Sequence, residues 1–136
     1  MANKYSKISQ TRLKESHRDL QIVFAEVLPF FDNSIVCGHR NEEDQNKAYP
    51  RFSKVKYPNS RHNSYPSMAV DAVPYPIDWE DTKRMIFFAG FVICTAKRLK
   101  KEGKISHDIR WGGDWDRDTE LKDNRFQDYP HFELRK

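Results

Sequence analysis

The chain has 136 residues, of which 38% are hydrophobic and 13% aromatic, and this suits a single domain with one packed core over residues 1–136. Charged residues make up 32% of the chain and no apolar run approaches the ~20 residues of a transmembrane helix, so we expect no stable association with a membrane. The net charge of +4 favours polyanionic partners, such as nucleic acid or an anionic cell wall, without choosing among them.

Hydrophobic spacing and turn residues predict three helices and four strands. In chain order, they are a helix over 9–31, a strand over 34–40, a short polar helix over 41–49, a strand over 68–75, the main core helix over 78–103, a strand over 109–115 and a final strand over 131–136. Ser9 or Thr11 suits the N-cap of the first helix, Asn41 that of the second and Asp78 that of the third. A long, proline-containing loop over 50–67 separates the two halves. The irregular alternation favours an α+β fold with a small antiparallel sheet and flanking helices.

Asp71 lies inside the apolar stretch "MAVDAVPY", where a buried charge is costly unless it is paired or binds a metal. His62 precedes it in the loop, and "DYPHFEL" near the C-terminus supplies Asp128, His131 and Glu133. Two neutral imidazoles and one carboxylate form a three-ligand set for Zn²⁺ that leaves a fourth position open, as catalytic zinc sites do. An ion pair between Asp71 and an arginine such as Arg61, or exposure at a strand edge, is the alternative.

The segments "SRH…AVDAVPY" and "DYPHFEL" resemble the two signature segments of a known family. This is the zinc D-Ala-D-Ala carboxypeptidase / L-alanyl-D-glutamate endopeptidase family, the VanY-like and phage endolysin group of peptidoglycan peptidases. Its pattern is Ser-x-His, a spacer, Ala-x-Asp, and later Asp-or-Glu-x-x-His. The resemblance implies a Hedgehog/D,D-peptidase-like fold, with His62, Asp71 and His131 as Zn²⁺ ligands and Asp128 as the general acid/base.

Two further segments resemble the same family. In "CGHRNEEDQ", Arg40 and Gln45 match a Gly-x-Arg-x-x-x-x-Gln stretch, which implies that Arg40 stabilises the developing oxyanion. "RWGGDW" matches an aromatic-Gly-x-Asp-Trp turn before the last strand. Trp111 and Trp115 are candidates for walls of the substrate groove, with core packing as the alternative. Ser60, Gln45, Trp115 and Glu133 are expected to contact substrate or to hold the catalytic groups in place, with a surface position as the alternative for Glu133. The spacer between His62 and Asp71 is longer than is usual in the family, and "NSYPS" absorbs the excess.

Several other candidates carry less specific patterns. The stretch "DWDRDTE" places four carboxylates at alternate positions, like the start of a calcium loop, although the complete EF-hand pattern is absent and a solvated acidic loop is the alternative. These carboxylates belong to Asp114, Asp116, Asp118 and Glu120. Among the remaining residues we predict buried free thiols for Cys37 and Cys94, no role for His17, a solvated strand position for His39 and a turn position for His107.

Together, the residue patterns and the family resemblance predict a monomeric zinc metallopeptidase that acts on peptidoglycan. Its most concrete form is a phage endolysin that cleaves the L-alanyl-D-glutamate bond. The polar N-terminus lacks the apolar centre of a signal peptide, so synthesis in the host cytoplasm and release through a holin-type opening are expected. A D-alanyl-D-alanine carboxypeptidase or dipeptidase is the first alternative, and a non-catalytic, zinc-bearing wall-binding relative is the second. A nucleic-acid-binding or zinc nuclease module is disfavoured because the basic residues are scattered, so no nucleic-acid partner is predicted.

Overall fold

The computed structural model describes residues 2–122 and 126–136, and within them the chain forms four helices and four strands. The helices are α1 (Lys7–Lys14), α2 (Arg18–Val27), α3 (Glu42–Ala48) and α4 (Thr82–Lys101). The strands are β1 (Asn33–Cys37), β2 (Ala69–Pro74), β3 (Asp108–Gly112) and β4 (Asp128–Arg135). The strands form one antiparallel sheet in the order β1-β2-β4-β3, so the predicted α+β class with a small antiparallel sheet is confirmed.

The two central strands, β2 and β4, carry the residues that matter most for function. Their register pairs Asp71 directly with His131, and on the other side of β2 Asp71 pairs with Cys37 of β1. Directly opposed residues on antiparallel strands have Cβ atoms about 4.5–5.5 Å apart, so their side chains share one face of the sheet. The register therefore brings two of the predicted ligands together without any help from loops.

The opposite face of the sheet is the hydrophobic core. Because side chains alternate along a strand, Val70 and Ala72 point into the core while Asp71 points to the other side, as expected. Phe132 on β4 packs edge-to-face against Phe24 of α2 and Phe88 of α4, with ring centroids 5.7 and 6.1 Å apart. Burying each such ring contributes about 1.5–3 kcal/mol, and this packing fixes the sheet that presents the polar face.

The single helix predicted over 9–31 is wrong, because the chain breaks between α1 and α2. At the break, the backbone N–H of Ser67 donates to the carbonyl of Glu15, and the N–H of His17 donates to the carbonyl of Ser67, at 2.9 and 2.8 Å. These bonds to a distant segment replace the helical bonds that the local pattern favours. The break also anchors the C-terminal end of the long loop just before β2.

Other differences from the sequence-based expectations are smaller. Asp81, not Asp78, caps α4, its side chain accepting from the N–H of Arg84. The last strand begins at Asp128 rather than at 131, so the predicted general acid/base lies on the strand itself. The prediction of buried thiols is wrong, since Cys94 is exposed and Cys37 is only partly buried, although both are free.

Within the described part of the chain, no helix is both long enough and apolar enough to cross a membrane.

Candidate metal centre and active site

Three ligand atoms converge on the polar face of the sheet. His62 Nε2, Asp71 Oδ1 and His131 Nδ1 form a triangle in which each pair of atoms is 3.3 Å apart. Ligand atoms placed tetrahedrally at about 2.05 Å from a zinc ion are about 3.3 Å apart, so the triangle has the dimensions of three vertices of a zinc tetrahedron. All three residues line the same cavity. The donor set and its spacing therefore fit a metal ion with one open position.

His62 belongs to the long loop, and its ring is fixed from behind. Its Nδ1 lies 2.7 Å from the carbonyl oxygen of Gly38, which can only accept, so Nδ1 carries the proton and Nε2 is left for a ligand. The backbone is held as well: the N–H of His62 donates to Ser60 Oγ, and its carbonyl accepts from the N–H of Arg40. A Cβ at position 38 would lie 2.3 Å from the carbonyl oxygen of Arg12, so only glycine permits this close approach.

His131 is oriented by Glu133, two residues along the same strand face. Its Nε2 donates to Glu133 Oε1 at 2.8 Å, which turns Nδ1 toward the metal position. Glu133 is buried, with 3% of its surface exposed, so it is not the surface carboxylate considered as an alternative. The Trp115 ring lies against His131 at a centroid distance of 5.5 Å and forms part of the cavity wall.

The charges at the centre show why a carboxylate can lie there. Burial opposes ionisation of Asp71, but the two flanking imidazoles outweigh it and hold the pKa of Asp71 well below its usual range. Burial likewise opposes protonation of His62, yet the Asp71 carboxylate raises the pKa of His62 to about 10, and the pKa of His131 is also raised. Asp71 therefore requires neighbouring positive charge, which a proton or a metal ion can supply. A metal must displace those protons to bind.

Asp128 lies beside the centre without belonging to the triangle. Its carboxylate is within 4.8 Å of ligand atoms of both Asp71 and His131. Burial, followed by repulsion from the Asp71 carboxylate, raises the pKa of Asp128 to about 6. A carboxylate whose pKa is raised toward the working pH is suited to exchange protons with a reacting group.

Arg40 also lies beside the centre and lines the same cavity. Its Nη2 is 3.7 Å from Asp71 Oδ2, and its Nη1 donates to Gln45 Oε1 at 3.0 Å. Gln45 is fully buried and donates in turn to Ser53 Oγ and to the carbonyl of Val55 at 2.8 and 2.7 Å. Gln45 thus ties Arg40 to the long loop instead of facing the cavity, whereas Ser60 does line it.

The cavity around the centre has a volume of about 470 Å³ and a mixed lining. Its aromatic residues are Phe52, Trp79, Trp115 and Phe126, and its basic residues are Arg40, Lys54, Arg61, Arg110 and Arg135. Aromatic walls with convergent cationic groups suit a peptide that carries carboxylates. The sequence patterns did not single out Arg61, Arg110 and Arg135 as a group. The register of β3 and β4 brings Arg110 and Arg135 together, and a hydrogen bond from Arg61 to the carbonyl of Leu134 adds the loop residue.

The four acidic residues of the predicted calcium loop do not line this cavity, although Trp115 between them does. Carboxylate oxygens of Asp114, Asp116 and Asp118 are within 4.8 Å of one another. The Asp114 carboxylate accepts from the backbone N–H groups of Asp118 and Thr119 at 3.2 and 2.9 Å. These bonds account for the shape of the turn, and a calcium ion here stays a prediction. Glu120 does not belong to the group of close carboxylates.

A second His-Asp-His cluster has a role that the sequence did not suggest. Asp19 is buried, and its Oδ2 accepts from His107 Nδ1 at 2.7 Å and from the backbone N–H groups of Ser106 and His107 at 3.0 and 3.2 Å. His17 caps α2, its Nδ1 accepting from the N–H of Asp19 at 2.9 Å. His17 and His107 thus have structural roles, joining the start of α2 to the segment before β3. No local pattern could have paired residues so distant in sequence.

Comparisons with known proteins bear on the fold and on the family of this chain. The solved crystal structure of Serratia marcescens L-Ala D-Glu endopeptidase ChiX is similar, with a TM-score of 0.67 and 24% sequence identity over 98% of this chain and 91% of that chain. At that identity, the likeness shows the fold. A comparison with curated proteins found no match. The family model described as phage L-alanyl-D-glutamate peptidase matches residues 1–135, so the predicted peptidoglycan peptidase class is confirmed and the chain belongs to the phage L-alanyl-D-glutamate peptidase family.

Proposed function

We propose that this chain is a phage endolysin that hydrolyses the L-alanyl-D-glutamate bond of peptidoglycan with a Zn²⁺ ion held by His62, Asp71 and His131. The observation that carries the proposal is the triangle of ligand atoms, 3.3 Å on each side, inside a cavity that also contains Asp128 and Arg40. When bound at such a site, zinc acts as a Lewis acid and makes water a better nucleophile near neutral pH.

In the proposed reaction, Asp128 transfers the proton and Arg40 stabilises the negative charge that develops on the substrate. Asp128 accepts a proton from the attacking water as the water oxygen bonds to the alanyl carbonyl carbon. It returns that proton to the amide nitrogen when the C–N bond breaks, so the products are a carboxylic acid and an amine, which become a carboxylate and an ammonium group when the acid's proton passes to the amine. The Arg40 guanidinium, positioned by Gln45, donates to the carbonyl oxygen as that oxygen gains negative charge.

The alternatives are weaker on specific grounds. A zinc-bearing protein that only binds cell wall has no need for a carboxylate of raised pKa beside the metal ligands, and Asp128 is such a carboxylate. A D-alanyl-D-alanine carboxypeptidase would require the same catalytic groups, and only its products separate it from the endopeptidase. The family model favours the endopeptidase.

Lysis of permeabilised Gram-negative cells by the wild type and by Asp128→Ala, with zinc content measured for both, tests the proposal. We expect the wild type to clear the suspension and the variant to keep zinc without clearing it. Analysis of the released fragments then identifies the bond, since the endopeptidase exposes new L-alanyl ends whereas a carboxypeptidase releases free D-alanine. A wild type that binds no zinc would contradict the metal assignment.

Finer features of the proposal rest on family membership and composition. We propose that residues 1–136 act as one monomeric domain, that peptidoglycan is the partner rather than nucleic acid or membrane, and that the protein reaches the wall through a holin-type opening. The net charge of +4 favours approach to an anionic wall. A calcium ion at Asp114, Asp116 and Asp118 is a further proposal. Calorimetric titration of calcium into the zinc-loaded protein checks it, and the absence of heat at millimolar calcium would remove it.

A further inference from the structure

Three arginines converge on one buried carboxylate at the edge of the catalytic cavity. Arg110 Nη2 and Arg135 Nε lie 3.0 and 2.6 Å from Glu133 Oε2, and Arg61 Nε lies 3.9 Å from the same oxygen. The other oxygen of Glu133 is occupied by His131. Arg61, Arg110 and Arg135, here called the arginine cluster, all line the cavity that contains the metal centre.

The arginine cluster carries more positive charge than its surroundings neutralise. In the part of the chain that the structure describes, one carboxylate faces three guanidinium groups, which leaves an excess of two positive charges in the arginine cluster. Among the described residues, Arg61 Nε and Arg110 Nε are buried and have no hydrogen-bond partner. Buried polar groups are normally paired, and one arginine is enough to pair one carboxylate. The unused charge and donors therefore indicate a site for a further anion.

The substrate chemistry supplies such an anion next to the bond that breaks. In an L-alanyl-D-glutamyl bond the glutamyl residue contributes its nitrogen to the amide and carries two carboxyl groups. The stem peptide can continue through only one of them. The other is a free carboxylate a few bonds from the scissile nitrogen, and bidentate arginine–carboxylate pairs are among the strongest polar contacts in proteins.

The position of the arginine cluster matches the side of the bond on which this carboxylate lies. Asp128, which would return a proton to the leaving nitrogen, is on β4, the strand that also bears Glu133 and Arg135. The Arg110 guanidinium lies 5.2 Å from the Trp115 ring centroid, and that ring in turn packs against His131. A continuous wall thus leads from the metal ligand to the arginine cluster.

We propose that the arginine cluster is the subsite for the free carboxylate of the D-glutamyl residue and selects substrates that carry it. The inference rests on the proposed function, since it concerns the amine side of the bond that this site cleaves. A purely structural role for the arginine cluster, in which it only holds Glu133 and through it His131, makes a different prediction: the charge of the substrate would not matter.

Two synthetic stem peptides test this, one with the free D-glutamyl carboxylate and one with the neutral carboxamide in its place. For the wild type we expect kcat/KM to be about ten- to a hundredfold higher for the carboxylate peptide, the value of a charge-assisted hydrogen bond. Arg135→Gln and Arg110→Gln should bring this ratio toward one, mainly by raising KM for the carboxylate peptide. Arg18→Gln, which removes an exposed arginine outside the cavity, is the matched control and should leave the ratio unchanged.

The outcomes separate the inference from the function on which it rests. If the wild type cleaves both peptides equally well, the subsite is refuted and the peptidase function stands. If it cleaves neither, the proposed function fails and the subsite fails with it. If the arginine variants lose activity equally on both peptides, the arginine cluster only positions Glu133. Zinc content and melting temperature of each variant identify any folding defect, and the wild-type ratio needs no variant at all.

Discussion

The described part of the molecule contains two clusters of the same composition, each with two histidines and one aspartate, to which we assign different roles. In the metal centre, His62, Asp71 and His131 direct three ligand atoms at one another across 3.3 Å. In the structural cluster of His17, Asp19 and His107, the Asp19 carboxylate oxygen is already saturated by ring and backbone N–H groups. Residue types alone therefore do not distinguish the two clusters.

The two clusters differ in which of their nitrogen and oxygen atoms form hydrogen bonds with the rest of the protein. In the metal centre, the proton-bearing nitrogens are satisfied from behind by Gly38 and Glu133, so the other nitrogens face inward. In the structural cluster, His17 Nδ1 caps a helix. The three residues of the proposed metal centre also line the cavity that contains Asp128, whose lining includes no member of the structural cluster. Supporting hydrogen bonds and access from the groove thus distinguish a reactive site from a structural one.

The same substitution in the two clusters gives the largest expected contrast. Asp71→Asn should lose stoichiometric zinc and lower kcat/KM about a thousandfold or more, because metal ions supply several kcal/mol of transition-state stabilisation. Asp19→Asn should keep one zinc ion per chain and nearly full activity at low temperature. Metal analysis and peptide hydrolysis measure both. Zinc loss in the Asp19 variant, or its retention in the Asp71 variant, would invalidate the distinction drawn between the clusters.

Removing Asp128 should separate chemistry from metal binding within the metal centre. Asp128→Asn should keep zinc and lower kcat about a hundredfold to a thousandfold, the range for loss of a general base. The wild-type kcat/KM should rise with pH up to about 6, since the carboxylate must be ionised to accept a proton and its pKa is raised to about 6. A bound cation would draw this midpoint lower, not higher. An unchanged pH profile in the variant would refute the assignment.

The sequence predicted those features of the site whose causes are local. An aspartate inside an apolar strand, an asparagine before a polar helix and a His three residues after an Asp are all visible as short patterns, and the structure places Asp71, Asn41, Asp128 and His131 accordingly. The family resemblance added Arg40 and Gln45, which the structure joins by a hydrogen bond.

What the sequence missed depends on contacts between distant segments. The break between α1 and α2 arises from pairing with Ser67, and the tie between Asp19 and His107 spans 88 positions. The arginine cluster depends on the register of β3 against β4, which pairs Arg110 with Glu133. Hydrophobic periodicity carries no information about such pairings, because it describes only which face of an element is buried.

Weakening the support of a ligand should have an intermediate effect. Glu133→Gln keeps the shape of the side chain but removes the negative charge behind His131, and loss of such a partner costs about ten- to a hundredfold in metal affinity. Competition with a chelator measures this loss of zinc affinity.

We expect zinc to bind more weakly at pH 5 than at pH 8 in the wild type, because the raised pKa values of His62 and His131 mean that binding must release protons. Equal affinity at both pH values would contradict that proton release.

The smallest expected effect belongs to the structural cluster and concerns stability alone. His17→Ala removes the side chain that caps α2 and should lower the free energy of unfolding by about 1 kcal/mol, as loss of an N-cap usually does. His17→Asn, which restores a favourable cap, should recover that loss. Both variants should bind one zinc ion and cleave peptide like the wild type, as urea denaturation and metal analysis would show. If His17→Ala lost zinc while folding normally, the structural cluster would be a metal site after all. The convergence of free ligand atoms would then not be the feature that separates the metal centre from the structural cluster.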